Sequence, residues 1–372
     1  MTRCAAALST HPVVSHATGD VIADLLQCGE APPSLVLVFL TEAFGGAAED
    51  VAATVGSVLR TQAVAIVSTG VVGAGTEATG RSALSAWALW SDASSHGVDL
   101  HRLDQGIDAL GTRDRRDLEF ADVALVFGAQ AHPGITTSIE GVCQLRGSRP
   151  TAGGLLSAVV GDCRVWDQSR THYDVVAITI NGLDFHAQTV HPVRSLGGSH
   201  RVTRAVGPML LELDGSPALE VVEGILARLE PDQRPGSAEQ LVLAVHDTNG
   251  EPPDIVTVLG GDRSTGAVAT AVPVEDGSVV SLGVDDEREV GRSLRVPIED
   301  RPPIPGALIL TGRPLEPSSI HDGTAALGQI SEALSTSDYA GVHLASLIGP
   351  SRGYSGLTTA PLTAVLVRRG HH

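Results

Sequence analysis

Residues 65–80, AIVSTGVVGAGTEATG, begin as an apolar strand and continue into a segment with four glycines in eleven residues. Gly73, Gly75 and Ala78 fit the G-x-G-x-x-A pattern of a dinucleotide-binding loop, and Asp92 lies where such a site places its acidic residue. The fold class depends on whether this segment opens a helix or joins two strands.

The spacing after the glycines favours two strands. A dinucleotide site holds the pyrophosphate at the N-terminus of a helix that begins at the loop. Only TEATGR separates Gly75 from the next apolar run, SALSAWALW at 82–90, and Gly80 interrupts even that stretch. Two or three helical turns do not fit there. We therefore predict two strands joined by a glycine-rich loop, whose backbone closely approaches another part of the protein or a small ligand.

Composition excludes several function classes. The chain is 42% hydrophobic and 18% charged, which is typical of a soluble globular protein, and its 3% aromatic content predicts an aliphatic core. The net charge is −18 and all 25 basic residues are arginine, so no P-loop or Schiff-base lysine is available and binding to nucleic acid is disfavoured. No C-x-x-C pair, HExxH motif, signal peptide or membrane-length apolar run occurs. We predict a cytoplasmic protein without metal, cofactor, nucleic-acid or membrane partners.

Hydrophobic periodicity predicts alternating helices and strands. Asn181-Gly182 and Asp276-Gly277 lie between apolar runs, a pattern that predicts two β-hairpins. The predicted fold class is mixed α/β (α+β): two layered domains with largely antiparallel sheets, β-hairpins and packed helices. The polar segment 230–239 is interpreted as the boundary between them. A 3.6-residue period predicts helices over 13–29, 47–60, 136–146, 217–229 and 322–335.

The order of these segments resembles the FIST family. The most specific likeness is HRVTRAVGPMLLELDGSPALEVVEGIL at 200–226, and AIVSTGVVGAGTE and PTAGGLLS resemble other N-terminal segments of that family. GGDRSTGAVATAVPVEDGSVVSLGVDDEREV and YAGVHLASLIGP resemble its C-terminal domain. The resemblance implies a stand-alone bacterial member with a FIST N-like domain over 1–230 and a FIST C-like domain over 236–370.

The C-terminal half departs from the family pattern. The family often has a cysteine after an ALLF-like strand, a G-E-I-G-P motif and a histidine in the last loop. This sequence instead has ALILTG, then Ser346-Leu347-Ile348-Gly349-Pro350, and YSGLTT. Gly349 and Pro350 of that motif are present. We therefore expect this half to keep the family fold, whereas the polar residues of the family's usual site are absent here.

The resemblance implies a sensory protein that binds a small ligand, with amino acids or related carboxylates suggested, and passes the signal to a separate partner. Glycine loops offer backbone N–H groups to a carboxylate, and arginine can clamp an anion. We predict no catalytic residues and these ligand-binding residues: Gly73, Gly75, Glu77, Arg81, Gly153, Gly154, Ser199 and Arg201.

Two other functions stay open at this point. One is an enzyme with an unrecognised active site in an inter-domain cleft, for which His246-Asp247 offers a weak base-and-orienter pair. The other is a ligand-free scaffold or interaction protein.

Overall fold

A computed structural model describes residues 2–29, 31–91, 97–157, 164–230, 240–246, 253–286, 289–295, 304–312, 326–351, 354–358 and 360–368. The chain divides into two compact units. Unit 1 joins Met1–Val190 to Leu294–His372, and unit 2 is the intervening His191–Ser293. The domain boundary predicted at 230–239 stays a prediction, and residues 231–239 lie outside the described ranges.

Unit 1 consists of three modules with the same order of strands. Module 1 contains β1 (Arg3–Ser9), α1 (Val14–Gln27), β2 (Leu35–Thr41), α2 (Ala48–Leu59), β3 (Gln62–Ser68), β4 (Gly70–Gly73), β5 (Thr76–Thr79) and β6 (Leu84–Trp90). A short 3-10 helix, Glu42–Ala47, leads from β2 into α2.

Module 2 repeats this order, with a 3-10 turn at Ile107–Ala109 before its first helix. It contains β7 (Gly97–Arg102), α3 (Thr112–Phe120), β8 (Val123–Ala129), α4 (Ile135–Arg146), β9 (Thr151–Leu156), β10 (Val165–Asp167), β11 (His172–Tyr173) and β12 (Val175–Asn181). Module 3 begins with β13 (Asp184–Val190) and is then interrupted by unit 2.

Unit 2 is a small barrel. It contains β14 (Val193–Val206), β15 (Met209–Leu213), β16 (Ser216–Pro217), α5 (Ala218–Ala227), β17 (Leu241–His246), β18 (Asp254–Asp262), β19 (Ala267–Thr270) and β20 (Val279–Asp285). The strand order is β14-β20-β17-β18-β19-β15-β16. Because β14 also pairs with β15, the first six strands of this order form a closed barrel. Val202, Leu243 and Val258 lie in its core, and Ala218 and Val222 of α5 join them.

The chain returns to unit 1 within α6 (Val290–Arg295) and completes module 3. The remaining elements are β21 (Gly306–Thr311), α7 (Ala326–Leu334), β22 (Tyr339–His343), β23 (Ser346–Ser351), β24 (Tyr354–Thr358) and β25 (Leu362–Arg368).

The three six-stranded sheets of unit 1 have equivalent strand orders. Sheet 1 is β1-β6-β2-β3-β10-β11, sheet 2 is β7-β12-β8-β9-β23-β24, and sheet 3 is β13-β25-β21-β22-β4-β5. In each sheet the third and fourth strands are parallel and connected through a helix, and all other neighbours are antiparallel. Each sheet therefore contains four strands of one module and a hairpin contributed by another.

The hairpins are exchanged in a cycle. Module 1 gives β4–β5 to the sheet of module 3, module 2 gives β10–β11 to that of module 1, and module 3 gives β23–β24 to that of module 2. The exchange joins the ends of the chain into one unit, because no module completes its own sheet.

Alternation along the strands builds the core. One face of β2 presents Leu35, Leu37 and Phe39 to a core that all three sheets share, while Val36 and Val38 pack against α1 and α2. Sheets 2 and 3 contribute residues such as Phe127 and Leu310 to the same core. Strands buried on both faces read as continuous apolar runs, which explains sequences such as LVLVFL.

The structure confirms the mixed α/β class and the five predicted helices. Both predicted hairpins are wrong. β12 pairs with β7 and β8, whereas β13 pairs with β25, so the chain changes sheet at Asn181-Gly182. The Asp122 carboxylate accepts hydrogen bonds from the N–H groups of Gly182 and Leu183 at 2.7 and 3.3 Å and fixes this crossing. β19 and β20 likewise pair with other strands, not with each other.

Unit 2 contains a histidine that makes its stability depend on pH. Burial lowers the pKa of His191 to about 4, while nearby Asp285 acts in the opposite direction. The unfolded chain keeps the ordinary pKa of about 6.5. As the pH falls from 6.5 towards 4, the unfolded state therefore takes up a proton that the folded state refuses, and stability is lost.

We expect this histidine to cost about 2 kcal/mol of unit 2 stability on going from pH 7 to pH 4.5. The measurement is urea unfolding over a pH series for the wild type and for His191→Gln. The difference between the two proteins separates the effect of His191 from that of the carboxylates, which titrate in the same pH range. Parallel pH profiles for the two proteins would contradict the expectation.

Candidate functional site

The glycine-rich segment of module 1 is a β-hairpin. β4 and β5 pair from Gly70↔Thr79 to Gly73↔Thr76, and a two-residue turn joins them. Ala74 and Gly75 of this turn have φ of 46° and 77°, which suits a tight type I′ connection. Residues 70–90 are all described and contain no helix, so the dinucleotide pattern lacks the helix that it requires. Asp92 lies outside the described residues.

The hairpin extends sheet 3, and this pairing positions the candidate site. β4 runs antiparallel to β22, with Val71 opposite Val342 and Gly73 opposite Ala340. Continuation of this register brings Gly70 next to His343, the last residue of β22. A Cβ at Gly70 would come within 2.5 Å of His343 Nδ1, so glycine is needed for this close approach.

Glu77 of β5 and His343 of β22 form a buried pair. The distance from Glu77 Oε1 to His343 Nε2 is 2.5 Å, and the side chains are 4% and 5% exposed. The Ser68 hydroxyl donates a hydrogen bond to the main-chain oxygen of His343. A carboxylate and an imidazole are thus held together where the parallel strands β21 and β22 end.

Thr311 places a hydroxyl at the same end of strands β21 and β22. It is the register partner of His343 in the parallel pair β21–β22, and neighbouring residues in register point to the same face of a sheet. Thr311 is fully buried, and its Oγ1 has no hydrogen-bond partner within the described part of the chain. A buried polar atom without a partner is costly, so it marks a position where a ligand could supply one.

Ligands of α/β sheets typically lie outside the carboxyl ends of parallel strands. Thr311 and His343 occupy this position in sheet 3, and Glu77 reaches it only because module 1 donates its hairpin. We define these three residues as the sheet 3 site. An acceptor, an imidazole and a hydroxyl can together bind a small molecule that carries both an acidic and a basic group.

The structure separates the residues predicted to bind ligand. Gly73, Gly75, Glu77 and Arg81 lie on or just after the β4–β5 hairpin, and exposed Arg81 donates to the main-chain oxygen of Glu77 at 3.3 Å. Gly153 and Gly154 lie in β9, in sheet 2. Ser199 and Arg201 belong to β14 of unit 2, where both are exposed. Of the eight, only Glu77 is part of the sheet 3 site; the ligand-binding role of all eight stays a prediction.

Gly73, Gly153 and Gly154 have structural reasons to be glycine. A Cβ at Gly153 would overlap the carbonyl oxygen of Val126 in β8, and one at Gly154 would overlap that of Ser346 in β23. A Cβ at Gly73 would overlap the hydroxyl of Ser85. These close approaches account for the glycines without a ligand.

His343 and Thr311 were missed in the sequence analysis. Each is a polar residue at the end of an otherwise apolar strand, in YAGVH and GALILT. A polar side chain in that position is the signal that could have found them.

Other sequence features have local partners. His246 Nε2 lies 2.8 Å from the Ser281 hydroxyl, and Asp247 lies outside the described residues. Cys4 and Cys143 are buried free thiols, and burial raises the pKa of Cys143 to about 11. Among the described side chains, no group of three or more His, Cys, Asp or Glu could hold a metal ion. Within the same ranges, no helix has both the length and the apolar character needed to cross a membrane.

The fold is mixed α/β, and a polar site lies at the ends of the parallel strands β21 and β22. Comparison with known protein families indicates the class of protein. Residues 34–216 match the FIST N domain. The chain therefore contains a FIST N domain, and the FIST family is associated with sensing and signal transduction. The match includes Glu77 but neither Thr311 nor His343, and the FIST C-like assignment of the C-terminal half stays a prediction.

The similar proteins come from mycobacteria. The uncharacterized protein Rv0628c of Mycobacterium tuberculosis is 26% identical over 376 residues, covering 95% of this chain and 97% of its own. The uncharacterized protein Mb0898c of Mycobacterium bovis is 29% identical over 213 residues, about half of each chain. The alignment with Rv0628c covers residues of both units of this chain.

Proposed function

We propose that this protein is a sensory protein that binds a small zwitterionic ligand, such as an amino acid, at the sheet 3 site. The observation that carries the proposal is the buried Glu77–His343 pair beside the hydroxyl of Thr311, which has no hydrogen-bond partner among the described residues. A carboxylate suits the ammonium group of an amino acid, and the imidazole and hydroxyl can donate to its carboxylate.

Burial favours selective binding at this pair. Electrostatic interactions are stronger in a protein interior than in water, so a matched ligand gains more from each contact there. Glu77 as a residue is only partly buried although its side chain is 4% exposed, so its main chain reaches the surface while its carboxylate is buried. We infer that a ligand enters through a local opening of the β4–β5 hairpin.

The first test is a thermal-shift screen with the common amino acids, dicarboxylates, and NAD(P) as the control for the rejected nucleotide interpretation. A ligand at a hundred times its Kd stabilises the folded state by about 2.7 kcal/mol, or a few degrees in Tm. We expect one amino acid or a close relative to produce this shift, and NAD(P) to produce none.

The variant that tests the site is Glu77→Gln, which keeps the shape of the side chain and removes its charge. We expect it to weaken binding at least tenfold, because the ammonium group loses its charged acceptor. Thr76→Ala, at the exposed neighbouring position of β5, is the matched control and should bind like the wild type. Unchanged binding by Glu77→Gln would place the ligand elsewhere.

An acid–base enzyme is the second candidate, because a carboxylate that contacts an imidazole at 2.5 Å is also an arrangement used in proton transfer. NMR spectra of each stabilising compound, recorded before and after incubation with the protein, separate the two functions. An unchanged compound supports the sensor, and a converted one supports the enzyme.

A further inference from the structure

Another pair of ionisable side chains, Glu42 and Arg164, lies at the equivalent end of the parallel strands in sheet 1. Glu42 follows the last residue of β2, and Arg164 precedes the first residue of β10. The main-chain oxygen of Arg164 accepts a hydrogen bond from Val67 N near the end of β3, at 2.9 Å. The pair therefore lies where the parallel strands β2 and β3 end, as the sheet 3 site lies at the ends of β21 and β22.

The guanidinium of Arg164 is buried and makes no hydrogen bond to the part of the chain that the structure describes. Its side chain is 6% exposed, and Nη1 lies 3.8 Å from Glu42 Oε1, which is beyond hydrogen-bond distance. Arg164 Nη2 and Glu42 Oε1 are both buried and have no hydrogen-bond partner within the described residues. A buried charge in this state is destabilising unless another group completes it.

Arg146 shows how the same fold treats a structural arginine. Its side chain is also buried, yet it donates to Thr151 Oγ1 and to the main-chain oxygens of Leu118, Ala121 and Pro150. Among the described residues Arg164 has no such hydrogen bonds, so the contacts seen there do not account for a buried guanidinium at that position.

The Arg164 guanidinium and Glu42 Oε1 indicate which chemical groups a ligand would need in order to bind there. A guanidinium binds a carboxylate through two parallel hydrogen bonds, and a carboxylate oxygen such as Glu42 Oε1 accepts from an N–H or O–H donor. The Glu42 side chain is 33% exposed, which leaves an approach from solvent.

We propose that Arg164 and Glu42 form a second binding site, for a small carboxylate that carries an adjacent hydroxyl or amino group. The carboxylate of the ligand pairs with Arg164, and its hydroxyl or amino group donates to Glu42. The site stands on its own observations and does not depend on the sheet 3 site.

The first measurement compares urea unfolding of Arg164→Met and Arg146→Met without ligand. A methionine removes the charge and keeps much of the volume, so we expect the midpoint of Arg164→Met to equal or exceed that of the wild type. The midpoint of Arg146→Met should fall. A fall of the same size in both variants would overturn the proposal, because Arg164 would then be structural.

The second measurement is calorimetric titration with lactate and glycine as probes and propionate as the control without the donor. We expect lactate or glycine to bind the wild type more tightly than propionate, and Arg164→Met to bind at least tenfold more weakly. Glu42→Gln should reduce the preference over propionate. No binding of either probe to the wild type at millimolar concentration, or unchanged binding to Arg164→Met, would overturn the proposal.

Glu77→Gln separates the two sites in the same titration. It should retain binding at Arg164 and lose only the ligand of the sheet 3 site. Loss of lactate or glycine binding in Glu77→Gln, with Arg164→Met unaffected, would assign the probe to sheet 3 and overturn the second site.

Discussion

Replacing Gly153 by alanine is expected to destabilise unit 1 by more than about 3 kcal/mol. The added Cβ would overlap the carbonyl oxygen of Val126, which is main chain and cannot rotate away. Gly153 also has φ of 134°, a conformation that residues with a Cβ rarely adopt. Strands β8 and β9 must therefore separate or the backbone must change conformation, and either change disrupts sheet 2.

The measurement is urea unfolding followed by circular dichroism, with Gly97→Ala as the matched control. Gly97 begins β7 in the same sheet and has no positive φ. None of the described atoms lies within 4 Å of an added Cβ there, so its replacement should change stability little. Equal stability of the two variants would contradict the structural explanation of Gly153 and leave its predicted role in ligand binding as the better reason for a glycine.

Gly341 offers an independent repetition of this test. It occupies the equivalent position in module 3, where an added Cβ would overlap the carbonyl oxygen of Ile309 in the parallel neighbour β21. TAG in β9 and YAG in β22 thus share a glycine for the same reason. Gly341→Ala should be destabilising to a similar degree.

Replacing Arg146 by methionine is expected to cost about 3–5 kcal/mol of stability, measured by urea unfolding. The guanidinium joins the end of α4 to the end of α3 and the start of β9, through Ala121 O at 3.0 Å, Pro150 O at 2.9 Å and Thr151 Oγ1 at 2.9 Å. Methionine would leave these buried acceptors without donors. Burial, reinforced by nearby Arg149, lowers the pKa of Arg146 to about 10, so the guanidinium stays charged at neutral pH.

Arg149→Met is the matched control. Arg149 lies three residues further along the chain and is exposed. Its side chain makes one long hydrogen bond, 3.4 Å, to Phe120 O, and the guanidinium lies over the ring of Phe120. Its replacement should cost less than about 1 kcal/mol, as is usual for surface charges. If both variants lost the same stability, the hydrogen bonds of Arg146 would not be the reason for its burial.

Local sequence was sufficient for most elements of the fold. The apolar stripe of α2, with Val51, Ala52 and Val55 buried, follows from a 3.6-residue period. The spacing after Gly75 excluded a helix, and the structure has β5 and β6 there. These predictions hold because helix period and turn spacing are properties of neighbouring residues.

The partners of the strands could not be predicted in this way. Asn181-Gly182 indicated a hairpin, but its two strands belong to different sheets. Strands such as β3 and β8 are almost uniformly apolar, so their sequences fit many neighbours equally well and carry little information on register.

The candidate sites show the same division. The sequence by itself determined the β-rich mixed fold, the lack of a helix after Gly75, and a composition without lysine. It predicted a loop where the structure has the β4–β5 hairpin that holds Glu77. Only the tertiary structure brought Glu77 to His343 and Glu42 to Arg164, because both pairs form where a hairpin of one module joins the sheet of another. Such a contact depends on which sheet edges are free once all three modules have formed, and no single segment of the chain contains that information.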